Sequence, residues 1–166
     1  MKILLALDGT DGSLGAARVG TLLARRESAA VTVVTVAEPP PAYRAGGAAP
    51  LATRDEERDL VRAHLERVHT QLEVAGVQRG TWPVRLGVEA PGRFIIHIAE
   101  EVEADLIVLG RDRKPLHKRL LDGDVLGHVA SRATVPVFAV DSSADRLPRD
   151  ACAGIDFSPP SLEAAR

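Results

Sequence analysis

Five short apolar runs, separated by stretches with helical periodicity, constrain the fold of this chain more than any other feature. The runs cover residues 3–7, 31–36, 82–88, 106–109 and 135–140. Continuous apolar runs of this length are typical of strands buried on both faces of a sheet. A chain in which strands and helices alternate forms a parallel sheet with right-handed crossovers. The sequence therefore predicts an α/β fold with a five-stranded parallel sheet.

Each segment between these runs carries an apolar stripe at helical spacing. Pro91 is suited to the first turn of one such helix, and Gly76 to the position just beyond the end of another. The residues expected to face the core are Leu14, Ala17, Thr21 and Ala24; Val61, Leu65, Val68, Leu72 and Ala75; Ile95, Ile98, Ala99 and Val102; and Leu126, Val129, Ala130 and Ala133.

A five-stranded sheet of this kind usually has its first strand in the middle and its fourth strand beside it, in the order 3-2-1-4-5. The winding direction changes between those two strands, and ligands bind outside their carboxyl ends. This arrangement places Asp8, at the end of the first strand, close to Gly110, at the end of the fourth. The sequence alone thus predicts where a ligand crevice would lie.

The segment after the fourth strand is a basic loop between two glycines. It runs from Gly110 through residues 111–122 to Gly123, and a helical pattern then starts at about Asp124. Backbone N–H groups at a helix N-terminus bind anions, so this loop is a candidate phosphate site. Against Asp112, five basic residues give residues 111–119 a local charge of +4: Arg111, Arg113, Lys114, Lys118 and Arg119.

Composition and the N-terminal pattern argue against several functions and bear on the location of the protein. A formal net charge of −2 and 3% aromatic residues disfavour binding to nucleic acid or to an anionic membrane. The apolar run at the N-terminus is cut by Asp8 and is too short for a signal peptide. Cys152 is the single cysteine, which excludes an intrachain disulfide and fits a reducing compartment. A cytoplasmic location is expected.

The C-terminal segment resembles the start of the chain. Residues 156–166 read DFSPPSLEAAR and residues 8–18 read DGTDGSLGAAR, so that Asp, Ser, Leu, Ala and Arg recur in register. One interpretation is a second repeat that is cut off after its first helical turn. The other is a coincidence in a disordered tail. The chain is divided accordingly into a domain over residues 1–141, a linker over 142–149, and a truncated repeat or tail over 150–166.

These features together resemble the universal stress protein family. The resemblance covers about residues 2–140 and rests on the segments LALDGTDGS (5–13), ADLIVLG (104–110) and VPVFAV (135–140). It implies a flavodoxin-like sandwich, also described as adenine-nucleotide α-hydrolase-like. Some members of the family are tandem proteins, and members commonly dimerise, so a homodimer through the fifth strand and a missing second repeat are both expected.

The nucleotide-binding members of that family have Gly, two residues, Gly, nine residues, Gly, and then Ser or Thr after the fourth strand. This chain keeps Gly110 and Gly123 at the matching separation but has Arg113 in place of the middle glycine and Asp124 in place of Ser or Thr. Arg113 brings a side chain into the space for the phosphate. Asp124 puts a carboxylate at the positive end of a helix dipole, where it repels phosphate.

Two interpretations of the loop follow. In one, the basic side chains bind the phosphates in place of the backbone; in the other, the loop is a solvated surface and Asp124 caps its helix. We favour the second, with weak or absent ATP binding. AMP or adenosine is then a candidate ligand for Asp8 and the backbone of Val36; the alternative for Asp8 is a turn residue that accepts backbone N–H bonds. The candidate nucleotide-binding residues are Asp8, Gly9, Thr10, Val36, Leu109, Gly110, Arg111, Arg113, Gly123, Asp124 and Val125.

The resemblance therefore implies a regulatory binding domain of the stress response without catalysis. The alternatives are an ATP-binding member with slow hydrolysis, which would use ATP with magnesium and the basic loop, and a structural half of a tandem protein. A haloacid-dehalogenase phosphatase is excluded because its nucleophilic aspartate would be at Ala6. The histidines form no metal-binding pair by spacing, and we expect all five to be solvated or capping: His64, His69, His97, His117 and His128.

Overall fold

The computed structural model describes residues 1–37, 54–88, 90–111 and 124–150. Within them, five strands form one sheet in which every neighbouring pair is parallel, in the order β3-β2-β1-β4-β5. The predicted sheet and strand order are confirmed. The strands are β1 (Lys2–Ala6), β2 (Ala30–Val36), β3 (Val84–Gly87), β4 (Leu106–Arg111) and β5 (Val137–Asp141).

The described residues also contain four helices, and each of them follows a strand along the chain. They are α1 (Asp11–Arg26), α2 (Arg54–Val74), α3 (Pro91–Glu101) and α4 (Val125–Arg132). Pro91 opens α3, and Gly76 follows α2 with φ of +83°, as the sequence predicted. Within the described residues, no helix combines the length and the apolar character that crossing a membrane requires.

The sheet separates two apolar layers. On one face, Leu5, Val33 and Val108 pack with α1 and α2, and on the other, Leu4, Val34 and Ile107 pack with α3 and α4. Successive strand residues point to opposite faces, so β1, β2 and β4 contribute to both layers. This explains why their sequences read as continuous apolar runs.

The ends of all five strands differ from the sequence prediction by one or two residues, and β3 and β4 are examples. β3 begins at Val84 rather than at residue 82, although the carbonyl of Pro83 still accepts a hydrogen bond from the Val33 N–H at 2.9 Å. β4 continues to Arg111, beyond the predicted end at residue 109, because β5 extends to Asp141 and pairs with it. Arg111 was predicted to lie in the basic loop, and this was wrong.

The segment after β5 packs back on the domain. Ala144 and Leu147 contact the layer formed with α1. The predicted repeat over 151–166 lies outside the described residues, as do the loop over 38–53 and the section of basic loop over 112–123.

Candidate functional site

The turn between β1 and α1 holds the carboxylate of Asp8 in one orientation. Its Oδ1 atom accepts the Thr10 N–H at 2.9 Å, the Thr10 hydroxyl at 2.8 Å and the Ser13 hydroxyl at 2.6 Å. An aspartate that bonds to the backbone two residues ahead forms an Asx turn, which explains why the strand ends here. Asp8 nevertheless remains exposed at the carboxyl end of β1.

Thr10 begins α1 as its N-cap. Its hydroxyl accepts a hydrogen bond from the Gly12 N–H at 3.2 Å. Gly9 has φ of +73°, and a Cβ atom there would lie 2.9 Å from Cβ of Arg67 on α2. Both the backbone conformation and the close approach of α2 therefore require glycine at this position.

Gly110 closes the other side of the turn. A Cβ atom on Gly110 would lie 2.5 Å from the carbonyl oxygen of Gly12 and 2.9 Å from Cα of Ser13. Ser13 thus contacts Gly110 through its backbone and Asp8 through its hydroxyl. The ends of β1 and β4 meet at the first turn of α1, at the point where the winding of the sheet changes direction.

Val36 and Leu109 can take part in this site only through their backbones. Val36 is the last residue of β2 and is 8% exposed, while Leu109 is 4% exposed and packs in the layer formed with α3 and α4. Their apolar side chains therefore belong to the core, and what they offer a ligand is peptide N–H or C=O groups at the strand ends.

Arg111 faces an acidic neighbour on the adjacent strand. A guanidinium nitrogen of Arg111 lies 3.7 Å from Oδ2 of Asp141, its register partner on β5. Oδ1 of Asp141 accepts the N–H and the hydroxyl of Ser143 at 3.1 and 2.7 Å. A cation placed beside this carboxylate is partly neutralised, which weakens the case for Arg111 as a phosphate ligand.

Asp124 is the N-cap of α4. Its Oδ1 atom accepts the Gly127 N–H at 2.9 Å, so the carboxylate occupies the position that an anion would take at this helix N-terminus. The predicted capping role is confirmed. Val125 is the first residue of α4 and packs against the apolar layer formed with α3. Arg113 and Gly123 lie outside the described residues.

Two buried polar residues of α2 were missed in the sequence. His64, predicted to be solvated or capping, is 7% exposed, and its Nε2 lies 2.6 Å from the hydroxyl of Thr35 on β2. Gln71 is 8% exposed and contacts Thr10 and Ser13. Both residues share a helical face with Val68, at spacings of four and three, so the same periodicity that identified the apolar stripe would have placed them in the core.

The described residues include no cluster of three or more histidine, cysteine, aspartate or glutamate side chains able to hold a metal ion. Within the described residues, the site consists of the exposed Asp8 carboxylate, the backbone at the ends of β1, β2 and β4, and the N-terminus of α4, which Asp124 caps. Among the described residues, this arrangement offers hydrogen-bond acceptors to a polar ligand, and Arg111 lies beside Asp141. The other basic residues of the loop, Arg113, Lys114, Lys118 and Arg119, lie outside the described residues.

Comparison with known proteins places this architecture in a family. The chain is 33% identical over 141 residues to universal stress protein MJ0531 of Methanocaldococcus jannaschii, an alignment that covers 84% of this chain and 81% of that protein. A universal stress protein solved in complex with cAMP is 26% identical, with a TM-score of 0.64, and the match covers 86% of this chain and 98% of that one.

The fold is also that of the Archaeoglobus fulgidus universal stress protein solved in complex with dAMP. The two chains are 24% identical with a TM-score of 0.55, and the match covers 84% of this chain and 97% of the other. The model of the universal stress protein family matches residues 1–141, which span every strand and helix described above. The chain belongs to the universal stress protein family.

Proposed function

We propose that this protein is a non-catalytic regulator of the stress response that binds an adenine mononucleotide, AMP or cAMP, between Asp8 and Gly110. The observation that carries the proposal is the pattern of hydrogen bonds to the two oxygens of the Asp8 carboxylate. Its Oδ1 atom is held by Thr10 and Ser13, whereas no hydrogen bond to Oδ2 comes from the described residues. An exposed carboxylate with one fixed and one available oxygen is a preorganised acceptor for a ribose hydroxyl or an adenine amino group.

The charge distribution supports a mononucleotide over ATP. Asp124 already accepts the Gly127 N–H at the N-terminus of α4, and Arg111 lies beside Asp141. Each added phosphate would bring more negative charge towards the Asp124 carboxylate. The relative with 26% identity was solved with cAMP, which carries a single phosphate and is consistent with this preference.

The candidate ligand residues divide by the group they would contact. Asp8, Gly9 and Thr10 border the nucleoside, and the backbones of Val36 and Leu109 face the base. Gly110, Arg111, Arg113, Gly123, Asp124 and Val125 border the phosphate. Magnesium would accompany ATP in the alternative function, but a single phosphate does not require it.

Isothermal titration calorimetry with AMP, cAMP and ATP–Mg²⁺ tests the proposal. We expect measurable binding of at least one mononucleotide and affinity for ATP–Mg²⁺ that is lower by about tenfold or more, equivalent to about 1.4 kcal/mol. Asp8→Ala should remove the binding, while Asp145→Ala, an exposed aspartate after β5, should not. Tighter binding of ATP together with ADP release would instead establish the slow ATPase.

We also propose a homodimer through β5. This strand is at one edge of the sheet, with Phe138 half-buried and Ala139 exposed, and within the described residues no strand pairs with its outer edge. Light scattering at high concentration should give the dimer mass, and Ala139→Lys should shift it to monomer. Thr134→Lys, just before β5, is the matched control. A monomeric wild-type chain at high concentration would contradict the proposal.

The domain organisation remains a proposal of the same kind. Residues 1–141 would form the family domain, 142–149 a linker, and 150–166 the start of a second repeat in a tandem cytoplasmic protein. An open reading frame that continues the pattern of residues 8–36 beyond Arg166 would support the repeat. A stop codon directly after Arg166 would favour a tail.

A further inference from the structure

Gln71 connects α2 to the turn that holds Asp8. Its side-chain amide donates to the carbonyl of Thr10, and its Oε1 atom lies 3.1 Å from Oγ of Ser13. Burying an amide costs free energy unless hydrogen bonds replace those to water. Gln71 is 8% exposed, and the contacts with this one turn are what stabilise its buried amide group.

The orientation of the Gln71 amide follows from its partners. The carbonyl of Thr10 can only accept, so the nitrogen of the amide must face it and the oxygen must face Ser13. Reversing the amide would place two carbonyl-type oxygens against each other. The contact with Thr10 consequently determines which atom of Gln71 approaches Ser13.

Ser13 transmits this contact to Asp8. Its hydroxyl has a single hydrogen and three candidate acceptors: Oδ1 of Asp8 at 2.6 Å, Oε1 of Gln71 at 3.1 Å and the carbonyl oxygen of Thr10 at 3.3 Å. The carboxylate is the strongest and nearest acceptor, so the hydrogen is donated mainly to Asp8 and is shared with Oε1 of Gln71 in a bifurcated bond. The Ser13 oxygen also accepts the Asp8 N–H at 3.2 Å. At 4% exposure, Ser13 has little access to water that could replace these bonds.

Thr10 and Ser13 supply all three hydrogen bonds that Oδ1 of Asp8 receives from the described residues, and Gln71 contacts both of them. We propose that Gln71 is a positioning residue of the nucleotide site, which fixes the rotamer of Asp8 through Thr10 and Ser13. The proposal rests on the proposed function, because it concerns the carboxylate that would contact the ligand. It makes α2 part of the site although α2 itself follows β2.

A double-mutant cycle on AMP binding tests this role. Gln71→Met keeps an unbranched side chain of similar length and removes both polar contacts. We expect it to raise the Kd for AMP about fivefold in the wild-type background, the net effect of about one hydrogen bond. In an Asp8→Asn background, whose own affinity is lower, we expect Gln71→Met to change Kd less than about twofold, because the residue acts through Asp8.

Thr21→Val is the matched control for a general loss of buried polar contacts. Thr21 is 1% exposed, and its hydroxyl bonds to the Ala17 carbonyl within α1, so this variant should leave Kd unchanged. If Gln71→Met does not fold, Ser13→Ala interrupts the same path and takes its place in the cycle. Thermal unfolding of each variant separates loss of fold from loss of affinity.

The outcomes are distinguishable. Equal effects of Gln71→Met in both backgrounds, or no effect in either, would overturn the positioning role while leaving nucleotide binding intact. Absence of AMP binding by the wild-type chain itself would overturn the proposed function, and the role of Gln71 with it. A strong effect in the wild-type background that disappears with Asp8→Asn supports the proposal.

Discussion

Asp124 affects both the stability of α4 and the binding of anions, and a single substitution can separate these two effects. As an N-cap, its carboxylate stabilises α4 through the Gly127 N–H. As a charge, it opposes a phosphate at the same helix end. Serine is also a good N-cap but carries no charge, so Asp124→Ser should keep the helix and admit the anion, whereas Asp124→Ala should lose the cap.

We therefore expect Asp124→Ser combined with Arg113→Gly to increase the affinity for ATP–Mg²⁺ while leaving the free energy of unfolding within about 0.5 kcal/mol of wild type. Asp124→Ala should lower that free energy by about 1 kcal/mol. Calorimetric titration and chemical denaturation measure the two effects. If the double variant still fails to bind ATP, the loop has lost more than these two positions.

His64 and Thr35 form the second informative pair. A guanidinium nitrogen of Arg67 lies 3.3 Å from Nδ1 of His64. A guanidinium group can donate hydrogen bonds but cannot accept them. Nδ1 is then the acceptor, and Nε2 carries the hydrogen that is donated to the Thr35 hydroxyl at 2.6 Å. The imidazole is in this way fixed in one tautomer within the core.

Thr35→Val should lower the free energy of unfolding by about 1–3 kcal/mol, because it removes a hydrogen bond from a buried ring nitrogen. Thr21→Val is the control, since the Thr21 hydroxyl donates to the Ala17 carbonyl, which also takes part in the hydrogen bonding of α1. We expect less than about 1 kcal/mol for that variant. Urea denaturation of both proteins measures the difference, and equal losses would contradict the assigned hydrogen bond.

At the scale of elements, the strands and helices were predictable because their periodicity is local. The short runs around Leu5 and Val108 are apolar at successive positions, which is the pattern of strands buried on both faces of a sheet. Helical periodicity places His64 and Gln71 on the buried face of α2, but their hydrogen-bond partners, which are more than twenty residues away, could not be deduced from the sequence. The end of β4 at Arg111 depends likewise on its register with β5.

An ion pair on α2 gives the fold a local pH dependence. Glu66 accepts hydrogen bonds from the Arg79 guanidinium at 3.0 and 2.6 Å, and these bonds lower the pKa of Glu66 below the usual glutamate value. A group whose pKa is lower in the folded state stabilises the fold above its unfolded pKa. That contribution disappears as the pH falls through the folded pKa.

Glu66→Gln should therefore reduce the urea midpoint at pH 7 and have no effect at a pH well below the folded pKa, where the wild-type carboxyl is also protonated. The difference will be small, because both side chains are about half exposed. Glu57→Gln, on the exposed side of the same helix, is the control. A midpoint difference that persists unchanged in acid would show that the charge is not its cause.

At the scale of the molecule, one sheet joins two apolar layers that do not touch each other. Val33 packs with α1 and α2, and its neighbour Val34 packs with α3 and α4 on the opposite face, both at 0% exposure. The proposed ligand crevice lies at the carboxyl ends of β1 and β4, two strands that contribute side chains to both layers. Its geometry consequently depends on both layers being folded together.

We expect Val33→Ala and Val34→Ala each to lower the free energy of unfolding by about 2 kcal/mol, from lost burial and the cavity left behind. The double variant should lose about the sum, because the two side chains pack in different layers on opposite faces of the sheet. Val88→Ala, at 72% exposure, should have little effect. Because β2 belongs to both layers, each variant should keep a single transition with an unchanged denaturant slope. A second transition in only one of them would mean that the two layers unfold separately and that the crevice can open without global unfolding.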